Sequence, residues 1–182
     1  MSKTLFCIVG ETGSGKDTVA RKLNKKLVVS YTTRPKRDNE IDGREHYFIT
    51  DEEFDRMEKE EHLIAYTKIG NIRYGATLER LNGAEIYVIN PDGVKWFKEN
   101  GIRELKIVTI GLFVPLEERK KRCSWRSDYE TSFMKRVEAE KNDFEQFRLN
   151  GEFDYMIYNH DLEKTAKIIK KIMEIEKNAD FN

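Results

Sequence analysis

The sequence predicts an α/β fold in three layers, a parallel core sheet with helices on both faces. Three observations carry this. Residues 4–9, 86–89 and 105–114 are apolar runs without polar alternation, the pattern of strands buried on both sides. Segments with helical apolar spacing stand between them, as an alternating strand–helix order requires. At 182 residues, 38% hydrophobic and 36% charged, the chain has the size and surface of one well-solvated domain.

The elements follow in order. Strand 4–9 runs into a glycine-rich stretch, and a helix over 16–26 places Val19, Ala20 and Leu23 on one side. Residues 28–31 read as a second strand of the core, 32–44 as a polar loop broken by Pro35 and Gly43, and 45–49 as a strand. Thr50 and Glu53 form the signature of a capping box, opening a helix that buries Phe54 and Met57. Residues 63–66 and 72–74 flank Gly70-Asn71 as a hairpin, and 77–82 form a short helix stopped by Gly83. After strand 86–89 come a helix over 91–100 closed by Gly101, strand 105–114, charged helices over 116–123 and 129–149, strand 153–158 and a helix over 162–177.

Composition narrows the function. Lys+Arg and Asp+Glu stand at 33 each, so no global field draws the chain to nucleic acid or to an anionic membrane, and anion binding must come from local clusters. Cys7 and Cys123 lie far apart without metal or redox spacing, which predicts reduced thiols and a cytoplasmic location. The apolar run 5–9 is too short for a signal-peptide core or a membrane span.

Gly10-Glu11-Thr12-Gly13-Ser14-Gly15-Lys16 has P-loop spacing and lies between a buried strand and a helix. Glycines there let successive backbone N–H groups converge on phosphate oxygens, and the helix N-terminus adds partial positive charge. ATP is the expected ligand, with Lys16 reaching its β- and γ-phosphates. Asp17 stands where a hydroxyl residue usually serves Mg²⁺. Its carboxylate is a hard oxygen ligand that suits the ion, with Thr18 a further hydroxyl beside it. A Gly-Lys-Asp ending is similar to that of some phage deoxynucleotide kinases and phosphomevalonate kinases.

Ser30-Tyr31-Thr32-Thr33-Arg34-Pro35-Lys36-Arg37 places two arginines three apart just after a strand, an arrangement suited to bidentate phosphate capture. Followed by Glu40, Gly43, Tyr47, Tyr74-Gly75, the strand 86–89, arginines after Val114 and Asn159, this order resembles the guanylate kinase family over residues 4–177. The resemblance implies a P-loop kinase fold with core 1–31, 77–115 and 150–182, an inserted subdomain for a nucleoside monophosphate over about 32–76, and a mobile lid over about 116–149. It also implies a site. Ser30, Arg34, Arg37, Tyr47, Tyr74, Gly75 and Asn90 would hold the acceptor, with Tyr47 reached by a one-residue insertion after Gly43. Arg122, Arg126 and Arg136 match lid arginines that clamp the moving phosphoryl group.

The chain departs from the family where the base is read. The family's acids ahead of the hairpin and at the end of strand 86–89 align with Ile64 and Asn90, its hydroxyl after Tyr-Gly with Ala76 beside Thr77, and its Walker B-like acid with Val88. Guanine presents two adjacent donors that call for acceptors. These substitutions predict an acceptor base other than guanine, or a modified one, and a transfer of the metal-binding duty to Asp17.

The expected activity is transfer of the γ-phosphoryl of ATP, with Mg²⁺, to a nucleoside or deoxynucleoside monophosphate, GMP/dGMP or one with another base, by a monomer or homodimer with only small-molecule partners. A sugar-phosphate kinase of the same fold is the alternative. A peptide-binding scaffold module, lacking turnover, is disfavoured because Lys16 and the arginines are present. No side-chain base is needed, so His46, His62 and His160 are expected to be structural or surface residues, and Trp96 and Trp125 to pack.

Overall fold

The structure is a computed structural model describing residues 3–124 and 133–179. Four parallel strands form the core sheet in the order β6-β1-β7-β8: β1 (Lys3–Val9), β6 (Ile86–Ile89), β7 (Leu105–Phe113) and β8 (Tyr155–Tyr158). β1 is central because Phe6, Cys7, Ile8 and Val9 are fully buried, and only an interior strand hides both faces. One face carries α1 (Lys16–Lys22) and α7 (Leu162–Ala179), which bury Val19, Ala20, Ile169 and Ile172 against Phe6 and Ile8. The other carries α4 (Pro91–Asn100) and α6 (Met134–Leu149), with Val94, Phe97, Phe144 and Phe147 packed with Cys7 and Val9. The predicted three layers are present. α5 (Leu116–Cys123) leads out of β7, and Cys7 and Cys123 are both buried free thiols.

A second sheet, β3-β2-β5-β4, is mixed: β2 (Tyr31–Thr32), β3 (Tyr47–Phe48), β4 (Ile64–Ile69) and β5 (Ile72–Ala76). The expected hairpin is β4–β5, and α2 (Asp51–Lys59) opens on the full Thr50–Glu53 capping box. The short helix after it, α3 (Leu78–Leu81), is also found. The expected core strand over 28–31 is not. Leu27 makes a single bridge to Ile86, Val28 donates one backbone bond there, and the chain then crosses to the second sheet. Leu27, Val28 and Val29 are too short a run for a ladder before buried, polar Ser30. Tyr31 instead pairs with Tyr47 on one side and Gly75 on the other.

β1 has β6 on one side and β7 on the other, so the chain reverses direction across the sheet at β1. Ligands in open α/β sheets bind beyond the strand carboxyl ends at such a point. There the glycine-rich loop leaves β1 and Asn90 leaves β6, while Pro115 follows β7 and Asn159 follows β8.

Candidate functional site

A cavity of about 740 Å³ opens at this end, a volume typical of small-molecule sites. Its floor is the loop between β1 and α1. Gly13 and Gly15 both have φ of 85°, a left-handed conformation that an L side chain resists. A Cβ on Gly13 would lie 3.0 Å from Phe133, and one on Gly10 would lie 2.5 Å from Ser14 Oγ. Ser14 Oγ is itself buried without a hydrogen-bond partner among the described residues. This is a cradle that side chains would fill.

The loop is tied from three sides. Arg119, 4% exposed, donates to the Val114 carbonyl (3.1 Å), the Thr12 carbonyl (3.0 Å) and Glu11 Oε1 (2.8 Å). Buried Glu140, on α6, accepts from the Thr12 N–H and the Thr12 hydroxyl, each at 2.7 Å. Asn159 Nδ2 donates to the Ser14 carbonyl at 2.7 Å. Arg119 and Glu140 were not expected from sequence. Arg119 lies in a basic run that reads as solvated helix surface, and the signal for Glu140 is its place one turn after Arg136, to which it is paired at 3.4 Å.

Lys16, Asp17 and Thr18 line the cavity. Asp17 lies on its floor, reached by solvent yet crowded by protein. Burial would raise its pKa, but Lys16, His46, Arg21 and Arg136 outweigh that and hold the carboxyl below its ordinary value. Among the described residues no group of three or more His, Cys, Asp and Glu could hold a metal.

Ser30, Arg34 and Arg37 face the loop across the cavity. Glu40 organises the arginines: its carboxylate accepts from Arg34 Nη2 (2.7 Å) and the Arg37 N–H (2.8 Å), and lies 3.6 Å from Arg37 Nη1. Burial would raise the Glu40 pKa, but these partners hold it low. Tyr74, Asn90 and Arg136 also line the cavity, so three elements that are remote in sequence converge there.

Several expected residues stand elsewhere. The Tyr47 ring stacks on Tyr31 with centroids 5.0 Å apart and carries the Arg80 guanidinium at 4.4 Å, outside the cavity wall. His46 takes its place, its Nδ1 2.9 Å from Ser30 Oγ and its ring edge-on to Tyr74. This histidine, expected to be structural, was missed because a one-residue slip in a loop exchanges which neighbour points inward. Burial holds its pKa down at about 4, against Asp17, which raises it. Gly75 is buried under Leu63 and Phe54 behind the wall. Ile64, aligned with the family's acid, packs into the core cluster instead. A bulge between Ile64 and Thr67 shifts the register of β4, so Ala65 and Thr67 meet the cavity. Ala76 is buried in the core, and Val88 reaches the cavity. Gly10, Glu11 and Ser14 shape the loop from behind. Arg122 does so too, donating to the carbonyls of Asn159 (2.6 Å) and Ser14 (3.4 Å) and to Glu118. Arg126 and Trp125 lie outside the described residues, and Trp96 packs against the core as expected.

A parallel sheet with a tied glycine-rich loop of P-loop spacing at its switch point, sharing a cavity with a loop that carries Arg34 and Arg37, defines a P-loop phosphotransferase. Family and structural relationships agree. The guanylate kinase family model matches residues 2–176. The guanylate kinase of Clostridioides difficile is 32% identical, covering 96% of this chain and 88% of that one. That of Rickettsia prowazekii is 30% identical over 99% and 95%. The crystal structure of guanylate kinase from Anaplasma phagocytophilum superposes with a TM-score of 0.73 at 26% identity, covering 96% of this chain and 86% of that one. The chain belongs to the guanylate kinase family and is a phosphotransferase of the nucleoside monophosphate kinase kind.

Proposed function

We propose that the protein transfers the γ-phosphoryl of ATP to the phosphate of a nucleoside or deoxynucleoside 5′-monophosphate, for which GMP is the reference acceptor by family. The observation that carries this is a single cavity with Lys16 and the glycine cradle on one side and Arg34 and Arg37 on the other. Phosphoryl transfer asks chiefly for positioning and charge neutralisation. The loop N–H groups and Lys16 bind the donor's phosphates. Arg34 and Arg37, held in register by Glu40, hold the acceptor's phosphate with Ser30, His46 and Tyr74, in line with the donor. Arg136, on α6, reaches between the two and offsets charge at the phosphoryl group in transit. The segment 116–149 acts as a lid over a subdomain spanning 32–76.

Mg²⁺ would neutralise charge on the phosphates as the phosphoryl group moves. Ionised Asp17, a hard oxygen ligand, would be the residue to hold it, directly or through water. The test is ADP release from ATP and Mg²⁺ with and without a nucleoside monophosphate mixture. We expect release only with the mixture, and Asp17→Ala to abolish it and raise the Mg²⁺ requirement. Release driven by a ribose bisphosphate and by no nucleotide would replace this reading with a sugar-phosphate kinase, and near-normal turnover of Asp17→Ala would remove the metal role.

A further inference from the structure

α6 buries four side chains, Val137, Glu140, Phe144 and Phe147, at the spacing of a single apolar stripe. Three of them are apolar. Glu140 takes the remaining place at 3% exposure. A carboxylate there is costly unless it is paired, and an apolar residue of similar size usually serves a fold as well or better. Stability therefore gives no reason for a charge at this position of the stripe.

Its partners give one. Glu140 Oε2 accepts from the Thr12 N–H at 2.7 Å, and Oε1 accepts from the Thr12 hydroxyl at 2.7 Å and from Arg136 Nη2 at 3.4 Å. Thr12 and Arg136 both line the cavity, so one carboxylate joins its floor to its wall. The two links differ in kind. The bonds from Thr12 are short, whereas 3.4 Å is beyond the range of a tight N–H···O bond. Arg136 Nε is buried with no hydrogen-bond partner among the described residues. Other parts of the lid rest on the same point of the loop. A Cβ on Gly13 would stand 3.0 Å from Phe133, which precedes α6, and 3.1 Å from Arg119 and from Cys123 of α5.

Resting on the kinase reading above, we infer that Glu140 is a positioning residue that links the phosphate-binding loop to Arg136. With Thr12 in place, two short bonds satisfy the carboxylate, and the guanidinium is left to turn toward the phosphoryl group in transit. With the loop displaced, both bonds are lost together. The buried charge then draws the guanidinium onto itself and away from the cavity, because attraction between buried charges is strong. Arg136 is thus delivered only over a loop in its phosphate-binding shape.

The test is a double-mutant cycle on kcat, using the full chain with ATP, Mg²⁺ and GMP, or whichever of AMP, CMP and UMP is turned over if GMP is not. Arg136→Met should lower kcat about a hundredfold. Glu140→Gln should lower it about tenfold, with the KM of the acceptor unmoved. Because Glu140 acts through Arg136, the double variant should fall no further than Arg136→Met alone, within about twofold. A merely structural role would multiply the two losses, to about a thousandfold. Circular dichroism and melting temperature establish that each variant is folded. Thr12→Val removes the hydroxyl and keeps the N–H, and supplies a second cycle that decides alone if Glu140→Gln does not fold. It should lower kcat about threefold to tenfold, again with no further loss on top of Arg136→Met. Losses that multiply in either cycle, or a kcat unmoved by Glu140→Gln, overturn the inference and leave the kinase reading standing. A wild type that turns over none of the four nucleotides overturns both.

Discussion

The two loops that meet at the cavity are held by different means. Glu40 holds Arg34 and Arg37 from within their own loop, whereas Glu140 on α6 and Arg119 on α5 hold Thr12 and Glu11 from more than a hundred residues away. A cluster of guanidinium groups repels itself and must be fixed by carboxylates before a phosphate arrives, since misplacement of catalytic groups costs rate steeply.

Perturbing the remotely held loop should reveal this contrast in graded steps. Lys16→Met should have the largest effect, lowering kcat by about a hundredfold to a thousandfold with the fold intact, measured by steady-state kinetics and circular dichroism. Arg119→Met leaves Glu11 and the Thr12 carbonyl without their buried partner and should destabilise by about 3 kcal/mol in urea denaturation. Glu140→Gln keeps the shape but weakens the charge-assisted hold on Thr12. It should raise the KM of ATP roughly threefold to tenfold and leave the acceptor KM unmoved, which would separate the donor scaffold from the acceptor scaffold.

A separate effect is in pH. His46 has a folded pKa of about 4 against an ordinary 6.5, so between these values the unfolded chain takes up a proton that the folded one refuses. Stability should therefore fall as pH drops from 6.5 toward 4, and His46→Asn should flatten that slope. Glu40, whose folded pKa is lowered, contributes stability that is present above its unfolded value of 4.5 and lost as pH falls through the folded value. Its loss follows that of His46 on acidification, and Glu40→Gln should remove only the lower segment. Denaturation midpoints across pH 3–7 would check both.

The sequence by itself determined what is local. Seven contiguous residues between a buried strand and a helix specify the glycine cradle, and Arg34, Arg37 and Glu40 lie within one loop, so spacing was enough to find them. The three-layer sheet was legible for the same reason, since burial on both faces leaves an unbroken apolar run. Only the tertiary structure decided which side chains point inward and what holds the cradle. Tyr47 and His46 are neighbours, and a single step in a loop exchanges their directions. Ile64 and Thr67 exchange roles through one bulge, because side chains alternate along a strand and an added residue reverses the alternation. Arg119 and Glu140 act on residues more than a hundred positions away, where chain spacing carries no signal and only packing brings the groups together.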